Sequence, residues 1–427
     1  MAAQPVTAPP VRSSVGLVLR HPALWLLVCG WVAQLALNPA LGHDESVYAN
    51  AARAWTGGAA YDLPGYRPIG MVALTCAVSW AEHAWALRLL GVAAAVLLLL
   101  AIVRLAEALG PPDLDANDRR AHARASIWLA ATWAPLGYRS PELLSDLAAA
   151  ALVIAALAMM VSSPARRAWA LAGAALAGAV YVRYGSLPTA AACLGVVAVV
   201  RPAASRAWPW AAVGLALGLA PLLAWSHWRT GAVTGIFTDA RAAAGIAYPG
   251  AGLVYYATHW FARGFAPLLG GLIAIALINT ARRPARSWTT VLLAIALVHI
   301  GWIGLSAHGE PRYLAIPAAI GCAVVAPTAW AWWRRRRRWA LTALAIALTI
   351  AALETTLVAR ARVHERTPIA AAADAIARDR NMIGAPSCWV SGPVASPVTA
   401  RRSGMNRWPP SSRPSRASVC ACPASPA

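Results

Sequence analysis

The segment Gly42-His43-Asp44-Glu45-Ser46-Val47-Tyr48 sets two carboxylates side by side. Adjacent residues leave a helix or a strand in different directions, so one acid can face a cavity while a partner holds the other. That arrangement suits a general base with a supporting acid. The same residues also fit a structural role, with Asp44 capping a helix that begins near Ser46 and its charge lying at the positive helix end.

Further polar residues recur in the segments that, on the orientation argued below, share a side of a membrane with this pair. They are Arg53, Asp62, Tyr66, Arg67, Arg139, Glu142, Asp146, Arg183, Glu310, Arg312 and Tyr313. Arg67 stands in Tyr66-Arg67-Pro68, and Arg312 in His308-Gly309-Glu310-Pro311-Arg312-Tyr313. The planar guanidinium grips two oxygens of a phosphate at once, although a single interfacial arginine also serves simply by snorkelling to headgroups. Pro141 to Asp146 reads as the start of a helix, where Ser145 or Asp146 would serve equally as a cap. His43 and His308 read as solvated or capping histidines rather than metal ligands. No P-loop, dinucleotide fingerprint, zinc spacing or nucleophile elbow is present. No cofactor is expected from the motifs, and a divalent metal requirement stays open.

The elements that position these residues are apolar. The chain has 427 residues, 59% of them hydrophobic and 12% charged, a balance that a water-soluble globule cannot easily cover with polar surface. Runs long enough to cross about 30 Å of hydrocarbon recur at about 22 to 40, 87 to 108, 124 to 138, 143 to 161, 168 to 184, 186 to 200, 210 to 228, 264 to 280, 288 to 306, 313 to 332 and 339 to 358. The expected fold is therefore all-α, a polytopic bundle of about 11 helices. The net charge of +21 would suit nucleic acid only as a continuous patch on a soluble domain. The arginines are instead dispersed through the loops, so nucleic acid is not an expected partner.

Arginine clusters such as Arg119-Arg120, Arg166-Arg167, Arg282-Arg283 and Arg334 to Arg338 fall on one side of this topology. By the positive-inside rule that side is cytoplasmic, along with the amino terminus, and the acidic pair opens the first extracytoplasmic loop. A cleaved signal peptide over residues 1 to 41 is the alternative for the amino terminus, and it would leave that loop on the same side. The loop, Gly42 to about Ala86, is the longest between helices, and long ordered loops tend to carry function. Within it Ile69 to Trp80 is apolar but too short to span, which predicts a helix at the interface. A second segment, Arg229 to Arg263, holds a run of aromatic residues suited to the membrane surface. The Arg334 to Arg338 run reads as an anchor contacting anionic lipids. Small residues in Ala170 to Gly178 and Gly214 to Gly218 predict close helix approach.

The expected organisation is a cytoplasmic segment 1–21, a membrane domain 22–358, and an extracytoplasmic tail 359–427. Residues 359 to 384 suit an amphipathic helix. From Gly384 onward Arg, Pro, Ser and Ala dominate without apolar periodicity, which predicts disorder. A shifted reading frame in GC-rich DNA would give the same composition. Cys29, Cys76, Cys193 and Cys322 lie in apolar stretches as small hydrophobes, whereas Cys388, Cys420 and Cys422 lie in the tail, where disulfide connectivity stays open.

The order of one helix, then His43-Asp44-Glu45-Ser46-Val47-Tyr48-Ala49, then the paired glycines between Trp55 and Tyr61, then Tyr66-Arg67-Pro68, then Ala86-Leu87-Arg88-Leu89, resembles the GT-C superfamily of membrane glycosyltransferases. Within it, the order is similar to bacterial relatives of protein O-mannosyltransferases and of the aminoarabinose transferases that modify lipid A. Glu142 to Asp146 resembles the second acidic stretch of that family, and Glu310-Pro311-Arg312-Tyr313 its late Arg-Tyr element. The resemblance implies a sugar donor on a polyprenyl phosphate and a glycan, lipid or protein acceptor outside a bacterial plasma membrane. It implies Asp44 as catalytic base in an inverting transfer, with Glu45 orienting acceptor or base and Arg67 and Arg312 neutralising the phosphate. The competing class is a transporter or flippase of lipid-linked sugars, whose acids would be expected nearer mid-bilayer.

Overall fold

The computed structural model describes residues 11–38, 40–57, 61–81, 83–110, 114–200, 206–243, 248–282 and 287–383. The tail beyond these residues, with Cys388, Cys420 and Cys422 and the reading-frame question, lies outside them. Among the described residues every regular element is helical. The first half runs α1 (Val11–Leu19), α2 (Pro22–Leu37), α3 (His43–Trp55), α4 (Ile69–Cys76), α5 (Ala84–Ala108), α6 (Ala116–Ala131), α7 (Ala134–Arg139), α8 (Ser145–Ser162) and α9 (Arg166–Val182). The second half runs α10 (Leu187–Val200), α11 (Trp208–Thr230), α12 (Gly235–Ala242), α13 (Ala251–His259), α14 (Pro267–Arg282), α15 (Trp288–Ser306), α16 (Ala315–Arg335) and α17 (Arg337–Ile383).

Each segment read as spanning falls on helix over most of its length. Six stretches, Ala84–Ala108, Ser145–Ser162, Trp208–Thr230, Trp288–Ser306, Pro311–Arg335 and Arg337–Ala372, are long and apolar enough to cross a membrane. Shorter apolar helices run over Pro22–Leu37, Tyr184–Val200 and Pro267–Arg282. Large apolar side chains such as Leu97, Leu217, Ile275 and Leu353 point out of the bundle, which water would penalise and lipid does not. The chain is a multi-pass membrane protein.

Two local features depart from the expected segments. The run 124 to 138 is broken into α6 and α7, because Pro135 occupies the first turn of a new helix, where its missing N–H costs nothing. Trp133, at the break, donates its indole N–H to the Gly264 carbonyl at 2.9 Å. The final span and the amphipathic stretch after it form one helix, α17, of 47 residues. At ~1.5 Å per residue it is about 70 Å long, more than twice the hydrocarbon thickness. Its later turns therefore reach a different environment from its first.

Close packing follows the small residues. A Cβ on Gly173 of α9 would lie 2.0 Å from the Ala211 carbonyl oxygen, and one on Gly214 of α11 would lie 2.1 Å from that of Ala170. The two backbones thus touch over a seam that no larger residue fits. Gly91 of α5 likewise admits the turn before α8, since a Cβ there would fall 2.1 Å from the Glu142 carbonyl oxygen. This last approach brings α5 against the polar cluster described next.

Candidate functional site: a carboxylate and arginine network at one end of the bundle

Helix α3 begins where the Glu45 carboxylate accepts the Gly42 N–H at 2.7 Å, and two acids in the first turn face the positive helix end. The capping contact thus belongs to Glu45 rather than to Asp44. Being adjacent, the two side chains diverge. Glu45 turns inward and is almost fully buried, and Asp44 stays partly exposed, with 29% of its side chain accessible.

Glu45 is held from every side. It accepts from Arg88 Nε at 2.9 Å and Nη2 at 3.2 Å, from the Leu143 N–H at 3.1 Å and from Arg366 Nη1 at 3.0 Å. Arg88 is itself buried and donates to the carbonyls of Asn38 and Ala40, tying the end of α2 to the first turn of α3. Burial opposes ionisation of Glu45, but the charge and hydrogen bonds of Arg88, the charge of Arg366 and the Gly42 N–H outweigh it, holding its carboxyl at about 2.

Asp44 lies 2.8 Å from Arg67 and 3.5 Å from Arg312. Burial would raise its carboxyl, yet the charges of Arg67 and Arg312 keep it below its ordinary value, so it is ionised at neutral pH. Arg67 also lies over the Tyr66 ring, 5.1 Å from its centroid. Tyr48, one turn after Asp44, is buried, and that burial pushes its phenol up to about 12. It therefore remains a neutral hydroxyl beside the acid.

The other polar residues join through shared partners. Arg312 reaches Glu310, and its Nε lies 3.9 Å from Asp146, which Arg183 grips directly. Arg183 and Arg312 both lie over the ring of Tyr313, at 4.6 and 5.2 Å from its centroid. His299 pins that tyrosine's backbone, its Nε2 lying 2.9 Å from the Tyr313 carbonyl and its Nδ1 2.6 Å from the Thr189 hydroxyl. Arg139 connects Glu142 at 2.9 Å with Glu310 at 3.7 Å. Glu142 also pairs with Arg362 at 3.0 Å and Arg366 at 2.9 Å. His308 lies 2.8 Å from Glu310.

The result is one connected network of five carboxylates, Asp44, Glu45, Glu142, Asp146 and Glu310, with seven arginines, Arg67, Arg88, Arg139, Arg183, Arg312, Arg362 and Arg366. Its formal excess is two positive charges, set at one end of an apolar bundle, where an anionic group is favoured. The Nε–H groups of Arg67 and Arg139 are buried without a hydrogen-bond partner, which leaves donors of the network unmatched. Among the described residues no group of three or more His, Cys, Asp or Glu side chains converges as metal ligands do.

Of the residues singled out in the sequence, Asp44, Glu45, Arg67, Arg139, Glu142, Asp146, Arg183, Glu310, Arg312 and Tyr313 meet in this network, and Tyr66 lies at its edge on Arg67. Arg53 does not join it. That side chain sits in the last turn of α3 and donates to the Ala81 carbonyl at 3.1 Å. Asp62 pairs separately with Arg229 at 2.7 Å. Sequence reasoning missed Arg88, Arg362 and Arg366 as members. Arg88 carried a signal, since a charge near the start of an apolar helix needs a partner. Arg362 and Arg366 are four residues apart on an amphipathic stretch and so share a helix face.

A similar helical architecture occurs among solved structures. ArnT from Cupriavidus metallidurans bound to undecaprenyl phosphate aligns with a TM-score of 0.58 at 16% identity, over 84% of this chain and 72% of that one. The apo state of that protein aligns with a TM-score of 0.57 at 15% identity, over 72% of this chain and 58% of that one. The archaeal oligosaccharyltransferase AglB from Archaeoglobus fulgidus aligns at 12% identity with a TM-score of 0.47. No protein-family profile and no curated protein matches the sequence. The fold is thus similar to that of ArnT, in keeping with the fold expected from the order of residues in the first loop.

Proposed function

We propose that the protein is a membrane glycosyltransferase that moves a sugar from a polyprenyl-phosphate carrier to a hydroxyl of a glycan, lipid or protein acceptor. The observation that carries this reading is the position of Asp44, the most exposed carboxylate of a network with excess positive charge, between Arg67 and Arg312. In the reaction the acceptor oxygen bonds to the anomeric carbon from the face opposite the phosphate, inverting that centre. Asp44 takes the hydroxyl proton, and the bond between anomeric carbon and phosphate oxygen breaks, so the polyprenyl phosphate leaves with the electron pair. Arg67 and Arg312, with Arg139 and Arg183 behind them, stabilise the charge that grows on the departing phosphate.

An aspartate paired with two arginines is ionised but weakly basic. A donor phosphate that drew Arg67 and Arg312 toward itself would restore basicity to Asp44 at the moment it is needed. On this reading Glu45 is a positioning residue, its carboxylate spanning α3, α5, α17 and the turn before α8. The excess of arginines on the opposite side of the topology supports a cytoplasmic amino terminus and an extracytoplasmic site in a bacterial plasma membrane. The charges gather at one end of the bundle rather than at mid-depth, which favours transfer over transport.

The test is purified protein supplied with a radiolabelled sugar on polyprenyl phosphate. Asp44→Asn is expected to lower transfer by about 10²- to 10⁴-fold with unchanged abundance and only a small fall in melting temperature. Transfer at the native rate would overturn the role of Asp44. Transfer by neither protein with any such donor would overturn the reaction class.

A further inference from the structure

A cavity opens at the other end of the bundle, enclosed by α1, the start of α2, α6, α14, α16 and the start of α17, with a volume of about 1210 Å³. Arg20, Arg119, Arg120 and Arg124 line it, and among the described residues its one lining carboxylate is Glu107. Glu107 is already engaged, accepting from the Ser14 hydroxyl at 2.9 Å and lying 3.8 Å from Arg104. The nearby Asp118 is taken by Arg334 at 3.5 Å and by the Trp330 indole at 3.2 Å. Among the described residues Arg20, Arg120 and Arg124 form no ion pair.

Apart from His21, the rest of the wall is apolar. The cavity follows α6 from Ala116 to Leu129 and reaches Leu268 and Leu272 of α14. Fourteen residues of helix cover about 20 Å at ~1.5 Å each, with Arg119, Arg120 and Arg124 in the first nine and Ala125, Trp128 and Leu129 beyond them. Trp128 and Trp330 also line it, side chains suited to the boundary between headgroup and chain. Unpaired guanidinium groups along the first part of this stretch and apolar side chains beyond them describe complementarity to one molecule with an anionic head and an apolar chain.

We propose that this cavity binds an anionic phospholipid, its phosphate held by Arg20, Arg120 and Arg124 and an acyl chain lying along α6 toward Leu272. Arginine matches phosphate geometry through paired donors, and basic pockets between membrane helices are recognised sites for anionic headgroups. The site is separate from the Asp44 network and does not depend on the reaction assigned there.

The experiment is native mass spectrometry of delipidated full-length protein in mild detergent, titrated with phosphatidylglycerol, with phosphatidylcholine of the same chains, and with polyprenyl phosphate. Phosphatidylglycerol is expected to be retained on the order of 10- to 100-fold more strongly than phosphatidylcholine, at about tenfold or less per arginine. The combined Arg20→Gln, Arg120→Gln and Arg124→Gln variant is expected to erase that preference, and Arg336→Gln with Arg337→Gln and Arg338→Gln to leave it intact. Leu272→Trp, which fills the channel and keeps every charge, is expected to weaken both phospholipids, and it serves as the test if the triple variant is not monodisperse. Equal retention of the two phospholipids, stronger retention of polyprenyl phosphate, or a preference lost only with the Arg336 to Arg338 changes would overturn the proposal.

Discussion

Arg366 Nη1 lies 3.0 Å from Glu45, joining residues 321 apart in the chain, while its Nη2 lies 2.9 Å from Glu142. One guanidinium on the final helix thereby fixes two acidic segments from the first half of the sequence. Arg366→Ala leaves Glu45 with Arg88 and Glu142 with Arg139 and Arg362, so neither carboxylate is abandoned. The expected loss is about 1–3 kcal/mol of stability, read as a lower melting temperature in detergent. Arg366→Lys should recover part of it, since an ammonium carries the charge but cannot reproduce the two-pronged geometry.

Acid should loosen the site in a defined window. Glu45 has its carboxyl lowered from an ordinary 4.5 to about 2, so its contribution is complete above pH 4.5 and is lost as pH falls through about 2. The carboxyls of Asp44 and Glu310 are shifted in the same direction, which steepens the loss. The melting temperature of the native protein should therefore fall between pH 4.5 and 2 by more than that of Glu45→Gln. Equal slopes would remove Glu45 as the cause.

Gly91 admits the turn that carries Glu142, with space for no side chain beyond hydrogen. Gly91→Leu should displace the Ser140 to Glu142 backbone and destabilise by about 1–3 kcal/mol or more. Transfer activity should fall with it, because Arg139, Arg362 and Arg366 all meet the displaced carboxylate. Wild-type activity in this variant would separate the turn from the working site.

Orientation is accessible to reporter fusions. An enzyme active only in the periplasm should be active when fused after Tyr61 and silent when fused after Arg206. The reverse pattern would place the Asp44 network on the cytoplasmic side and exclude the proposed acceptors.

Much of this arrangement is legible in the residues themselves. The apolar runs mark the helices because lipid tolerates only backbone that bonds to itself, and the acidic pair announces the network because carboxylates beside membrane helices need partners. What the chain order hides is the pairing. Nothing local to Glu45 points to Arg366, for the two meet only because α17 continues past the membrane thickness instead of stopping near residue 358. Arg53 shows the opposite error. It is close to Asp44 in sequence, but nine residues of helix carry it about 13 Å away along the axis. The break before α7 was visible in Pro135, whose ring favours a first turn over a helix interior.

The length of α17 also sets an order of events during biosynthesis. A ribosome delivers Asp44, Glu45, Glu142, Asp146 and Glu310 before it delivers Arg362 and Arg366. A nascent chain can therefore insert most of its helices with Glu45 and Glu142 still short of their final counter-ions. The site closes only when the last helix has emerged and laid its distal turns across the earlier ones, so its maturation belongs to the end of translation and not to the insertion of the first loop.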